Sequence, residues 1–172
     1  MNFNKLKNVR LLLLDVDGVL TDGRILYTDS GEQVKTFNSK DGLGLRLLMD
    51  AGIKVGIITG RKSNALVHRC RNLKIDLVMD GVKNKAAALA EICLKTGIRC
   101  ENIAFMGDDL IDLPIMKHVG IAVSVSDAAP EVKNHADIIT LHKGGRGAVR
   151  EICEQILDAK DLWEDIVNRF IK

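Results

Sequence analysis

Four consecutive leucines, Leu11 to Leu14, run directly into Asp15-Val16-Asp17-Gly18. A strand that is apolar at every position has no solvent face, so both of its sides must be covered, as they are in a parallel sheet between two helix layers. With Val9 as its start, this run is the first of several. Lys54 to Ile58, Leu77 to Met79, Ile103 to Met106, Gly120 to Val123 and Asp137 to Thr140 read the same way. Between them, residues 40–51, 62–72, 83–96, 109–118 and 128–134 return apolar side chains every three or four positions, which is the helical period. The alternation predicts an α/β fold, a doubly wound, mostly parallel sheet with helices on both faces. At 172 residues the chain is one domain, 1–172, long enough to hold a core without disulfides or a structural metal.

Two segments break the alternation. Arg24 to Tyr27 and Gln33 to Phe37, joined by Thr28-Asp29-Ser30-Gly31-Glu32, predict a small β-hairpin at 24–38, immediately after the first strand. Lys143-Gly144-Gly145-Arg146-Gly147 reads as a flexible, basic connector opening a C-terminal tail, 143–172, of two helices at 148–157 and 161–171. Composition removes several function classes. A net charge of +2 from 25 basic and 23 acidic residues supplies neither a nucleic-acid-binding face nor a polybasic membrane anchor, and six aromatics are too few for base-stacking platforms. No apolar run reaches the length of a membrane span, and the one after Arg10 is too short for a secretory signal. Cys70, Cys93, Cys100 and Cys153 have no zinc spacing and suit reduced thiols, so a cytoplasmic location is expected, with no nucleic-acid and no membrane partner.

In a doubly wound sheet, ligands gather at the carboxyl ends of the strands, where this sequence concentrates its carboxylates. Asp15 and Asp17, two apart in extended chain, point to the same side, and carboxylates held so close call for a cation. An Asp- and Gly-rich turn explains that pair alone equally well. Strand two ends in Thr59-Gly60-Arg61, a hydroxyl and backbone N–H groups at a helix start that form an anion cradle or an ordinary helix N-terminus. Strand four ends in Gly107-Asp108-Asp109, with Asp112 one turn on; three carboxylates exceed what compensating a helix dipole requires. Hard oxygen ligands of this kind suit Mg²⁺. Lys85, at the start of the helix after strand three, opposes the helix dipole and is either a solvated lysine or a counter-charge for a phosphoryl group.

In this order, DVDGV at 15–19, Thr59, Lys85 and GDDLID at 107–112 resemble the four motifs of the haloacid dehalogenase superfamily of phosphotransferases. With DVDGVLTDG at 15–23, the hairpin, Asp41-Gly42-Leu43-Gly44, TGR at 59–61 and GGRGAVRE at 144–151, the chain further resembles the family of 3-deoxy-D-manno-octulosonate 8-phosphate phosphatases. The resemblance implies a Mg²⁺-dependent phosphomonoesterase that releases a free sugar acid through an aspartyl phosphate, a step of lipopolysaccharide precursor synthesis. Asp15 is then the nucleophile and Asp17 the general acid and base. The Asp15 carboxylate, the backbone carbonyl of Asp17, and Asp108 hold the metal, while Thr59 and Lys85 hold the phosphoryl oxygens. Asp109 and Asp112 support them, without a sequence basis for ranking the two.

The intervals from Asp15 to Thr59 and from Thr59 to Lys85 are filled by the hairpin, helices and a strand, which leaves no room for an inserted cap domain. The resemblance implies a homotetramer in which hairpins and tails of neighbours close each open site, with Gly144 to Gly147 letting the tail swing across a neighbouring site. Ile25, Leu26, Val34 and Phe37 are apolar enough to face a partner, or to pack on their own sheet. The substrate contacts expected from the same resemblance are Gly60, Arg61 and Arg146, the two arginines gripping a sugar carboxylate. An N-acylneuraminate 9-phosphate carries the same carboxylate and terminal phosphate and is the alternative substrate. An idle regulatory or assembly module of the same fold is the alternative outside catalysis, and it has no need of all five motif side chains. A signalling receiver domain fits poorly, because the only aspartate at strand three is Asp80.

Overall fold

The leucines of β1 (Leu11–Leu14) are wholly shielded from water in the computed structural model, which describes residues 3–171. β1 is the pivot of a six-stranded sheet. β4 (Lys54–Ile58) pairs along one side of it and β6 (Ile103–Gly107) along the other, both parallel. Beyond β4 lies β5 (Leu77–Met79); beyond β6 lie β7 (Ile121–Ser124) and β8 (Ile138–Ile139). The order is β5-β4-β1-β6-β7-β8, and every pair is parallel. The chain builds outward from β1 to one edge, then returns to the other side of β1. That reversal opens a crevice at the carboxyl ends of β1, β4 and β6.

Parallel neighbours need crossover connections, and the helices that make them pack in two groups. α2 (Ser39–Asp50) packs against α3 (Asn64–Leu73) and α7 (Ala148–Ala159); α4 (Lys85–Thr96) packs against α5 (Leu113–Met116), and α5 against α6 (Pro130–His135). α7 buries Val149, Ile152, Cys153, Ile156 and Leu157, a helical stripe turned to the core. Two short ends complete the fold, α1 (Phe3–Leu6) and α8 (Trp163–Ile171). Residues 109–118, expected as one helix, divide into a 3-10 turn at Leu110–Asp112 and α5. Pro114 is the reason: it lacks an N–H and fits only a first turn, so a new helix starts there.

The hairpin is shorter than the sequence suggests. β2 (Leu26–Tyr27) and β3 (Gln33–Val34) pair antiparallel, apart from the main sheet. Ile25, Leu26, Tyr27 and Val34 are all at least 42% exposed, so packing on the protein's own sheet is not their role. Only Phe37 reaches the core, with the Arg69 guanidinium 5.6 Å from its ring centre.

The glycine run at 144–147 is not a flexible connector. Gly144 donates its N–H to Asp127 Oδ1 (3.0 Å) and Gly145 donates to the Val19 carbonyl (2.8 Å). A Cβ on Gly144 would lie 1.6 Å from the Gly18 carbonyl oxygen, and one on Gly145 would lie 2.5 Å from the Thr21 carbonyl carbon. Glycine is required because this segment lies directly against the backbone of the DVDGV loop. Asp41, buried in α2, then caps α7 from outside it, accepting the N–H of Arg150 (2.8 Å) and of Gly147 (3.4 Å). Burial raises its carboxyl pKa, against the pull of those two donors.

Candidate active site

Three carboxylates and one ammonium meet where β1 and β6 run out. Asp15 follows β1 directly and is 4% exposed. Lys85 is the first residue of α4, started by the Asn84 side chain accepting from the Ala87 N–H (3.1 Å). Its Nζ lies 2.9 Å from Asp15 Oδ1 and 2.5 Å from Asp112 Oδ1. Lys85 is therefore a buried counter-charge and not a solvated helix-start lysine. Burial alone would lower its pKa, but the two carboxylates more than offset that and raise it. Asp15 is pushed up to about 6, chiefly by burial, with Lys85 opposing and Asp112 adding.

Asp108 completes the cluster. Burial, followed by repulsion from Asp112, Asp15 and Asp109, pushes its carboxyl up to about 8. Its Oδ1 is buried without a hydrogen-bond partner. Gly18 explains how it comes so near β1: with φ of 87°, it presents no side chain where a Cβ would lie 2.0 Å from Asp108 Oδ2.

Asp15, Asp108 and Asp112 each offer an oxygen within 4.8 Å of the others. The hydrogen bonds separate them. Asp112 is committed, its Oδ1 to Lys85 and its Oδ2 accepting the N–H groups of Asp108 (2.9 Å) and Asp109 (3.3 Å). Asp109 caps the following turn through the Leu110 N–H (2.7 Å). The contacts distinguish the pair the sequence left unranked: Asp112 pairs with Lys85, and Asp109 bonds the backbone of its own loop. The oxygens left for a cation are those of Asp108 and, beside the Oδ1 that Lys85 approaches, Oδ2 of Asp15. A buried, unpartnered carboxylate oxygen beside a second carboxylate, both reluctant to ionise alone, fits a small divalent cation such as Mg²⁺.

The rest of the site lies toward solvent, around a pocket of about 220 Å³ lined by Asp15, Asp17, Thr59, Gly60, Arg61, Asp108 and Asp109. Gly23, Ile25 and Ile111 form its rim. Thr59 directly follows β4 and is 2% exposed, its hydroxyl oxygen accepting the Arg61 N–H (3.4 Å). It does not stand at a helix start: α3 begins later, capped by Ser63. A roomier cleft of about 470 Å³ at the amino ends of β4 and β5, between Ile53, Lys74 and Lys95, contains none of these groups. The structure does not bring Arg146 to the pocket of its own chain; its guanidinium lies 3.2 Å from Asp22 Oδ2, largely exposed.

Asp17 reveals a residue that the sequence did not. Its Oδ1 pairs with Lys35 Nζ, and its Oδ2 lies 3.8 Å from Arg61 Nε. Lys35 follows β3, and its side chain is only 3% exposed although the hairpin around it faces water. Strand alternation places Lys35 opposite the exposed Val34, but a lysine turned inward looks like any other lysine in a sequence.

Residues 75–152 match the haloacid dehalogenase-like hydrolase family. The chain is 47% identical over 167 residues to the 3-deoxy-D-manno-octulosonate 8-phosphate phosphatase of Escherichia coli, covering 97% of this chain and 89% of that protein. Among solved structures, the phosphatase of the same name from Moraxella catarrhalis, in complex with a magnesium ion, a phosphate ion and a KDO molecule, superposes with a TM-score of 0.96 at 39% identity, covering 98% and 97% of the two chains. A cobalt-bound deoxy-D-mannose-octulosonate 8-phosphate phosphatase from Haemophilus influenzae gives 0.93 at 39% identity, covering 98% and 99%.

Proposed function

The chain belongs to the haloacid dehalogenase-like hydrolases, and among them to the 3-deoxy-D-manno-octulosonate 8-phosphate phosphatases; from this premise we propose how its residues divide the reaction. It is a Mg²⁺-dependent phosphomonoesterase that releases the free sugar acid and phosphate, a step toward lipopolysaccharide. Asp15 attacks phosphorus as the bond to the sugar oxygen breaks, and Asp17 gives that oxygen a proton. Water then attacks the aspartyl phosphate, Asp17 takes its proton, and the phosphorus–Asp15 bond breaks. Lys85 and Thr59 hold the phosphoryl oxygens, and Asp112 keeps Lys85 aimed. The Asp15 carboxylate, the Asp17 backbone carbonyl and Asp108 would hold Mg²⁺, which when bound offsets the negative charge of nucleophile and phosphate together. The observation that carries this reading is the buried Asp15–Lys85–Asp112 triad at the switch point, with the unpartnered Asp108 oxygen beside it.

Residues 1–172 work as one catalytic unit without a cap. In a homotetramer, the exposed hairpin side chains and Ile111 meet a neighbouring copy and narrow the pocket mouth. Gly60 and Arg61 contact the substrate, Arg61 gripping its carboxylate; Arg146 serves the site of an adjoining copy. No helix among the described residues is long and apolar enough to cross a membrane, and a cytoplasmic site of action suits the free thiols. The test is phosphate release with and without Mg²⁺ across a panel of sugar acid phosphates, compared by kcat/KM. The octulosonate 8-phosphate is expected to lead. Faster turnover of an N-acylneuraminate 9-phosphate would move the substrate assignment, and no turnover of any ester would restore the idle-module reading.

A further inference from the structure

A lysine side chain only 3% exposed on an otherwise solvated hairpin calls for a partner that makes its position tolerable, and Lys35 has one ion-pair partner among the described residues, Asp17. An ammonium stripped of water is unfavourable unless a carboxylate takes its donors. The two-residue strands that precede it supply little to hold the segment down, since Leu26, Tyr27 and Val34 are exposed. Hairpin and general acid are thus joined through this contact.

The contact also makes the two oxygens of Asp17 inequivalent. Oδ1 accepts from Lys35, so an ammonium donor occupies the position a proton on that oxygen would need. Oδ2 keeps only a looser contact, 3.8 Å from Nε of Arg61, whose side chain is half exposed and lines the same pocket as Asp17. We propose that Lys35 is a positioning residue that fixes the Asp17 carboxylate by its Oδ1 and reserves Oδ2 for exchanging the proton with the leaving group. This rests on the reading of Asp17 as general acid. It assigns the hairpin a part in the chemistry, separate from any part in assembly.

The effect falls on leaving groups that need the proton. Phenyl phosphate and 4-nitrophenyl phosphate have nearly the same size, but nitrophenolate departs without help and phenolate does not. For Lys35→Met, kcat/KM on phenyl phosphate is expected to fall about 30-fold or more, and on 4-nitrophenyl phosphate about 3-fold or less. Lys35→Arg, which restores a cationic donor, should recover most of the difference, and Lys35→Gln, a neutral donor, should lie between. Tm is followed for each variant. Equal losses on both esters, or an unchanged ratio in Lys35→Met and Lys35→Gln alike, would overturn the inference. Asp15→Asn is run alongside: if it still hydrolyses both esters, the underlying mechanism is wrong, whereas an inactive Asp15→Asn with unaltered ester ratios in the Lys35 variants rejects the role of Lys35 alone.

Discussion

The floor and the rim of the crevice are built on opposite principles. On the floor, Asp15, Lys85 and Asp112 are each at most 4% exposed and hold one another at ion-pair distance. Their places are fixed by a strand end, a helix start and a capped turn, all packed on the core. At the rim, Arg61, Ile25 and Ile111 are exposed, the hairpin has two residues per strand, and one lysine ties it down. The contrast teaches that the groups proposed for phosphoryl transfer are locked within one chain while the pocket mouth is left open. Charges that must not move are buried, and surfaces that must meet a sugar, or a neighbour, are not.

Substitutions on the floor should then be severe and those at the rim graded. Asp15→Asn removes the proposed nucleophile and should lower kcat by about 10⁴-fold or more, while the metal-free Tm holds or rises because a buried negative charge has gone. Phosphate release and calorimetry on one preparation check both parts. Lys85→Met strands Asp15 and Asp112 without their cation, with an expected loss of about 3 kcal/mol of stability, measured by urea unfolding, besides lost turnover.

The floor also predicts a pH dependence. Burial raises the Asp15 and Asp108 pKa values to about 6 and about 8. The metal-free folded chain keeps protons there that the unfolded chain releases near pH 4. Its stability should accordingly fall as pH rises from about 4 through about 8. Mg²⁺ takes the deprotonated form, so the Tm gain from Mg²⁺ should be small near pH 5 and grow toward pH 8. A gain independent of pH would separate the ion from these carboxylates.

At the rim the effects shrink. Arg61→Met should raise KM for the sugar acid phosphate by about 10-fold and leave kcat within about 3-fold, read from steady-state kinetics. Leu26→Ser should change monomer stability by less than about 0.5 kcal/mol, yet weaken assembly in light scattering. Loss of kcat in Arg61→Met equal to that on the floor would erase the distinction between the regions.

Much of the floor is legible in the chain. An all-leucine strand can only be central, and β4 and β5 begin and end where their apolar runs do. The spacing of DVDGV, Thr59, Lys85 and GDDLID then follows from strand ends converging at a switch point. Local rules could not decide what long-range contacts decide. Asp109 and Asp112 are both acids in one turn, and only the arrival of Lys85 from α4 distinguishes them. Gly144 and Gly145 read as flexibility because the backbone they press against, at Gly18 and Thr21, is more than a hundred residues away. Lys35 was invisible for the same reason, since its burial depends on where the hairpin folds back.

The central claim is that Asp15 itself carries the phosphoryl group in passing. Enzyme quenched during turnover and treated with borohydride converts an aspartyl phosphate to homoserine, which peptide mass spectrometry locates. Reduction at residue 15, dependent on both substrate and Mg²⁺, is the predicted result. Reduction at another aspartate, or turnover with no reducible acyl phosphate at any residue, would contradict the account.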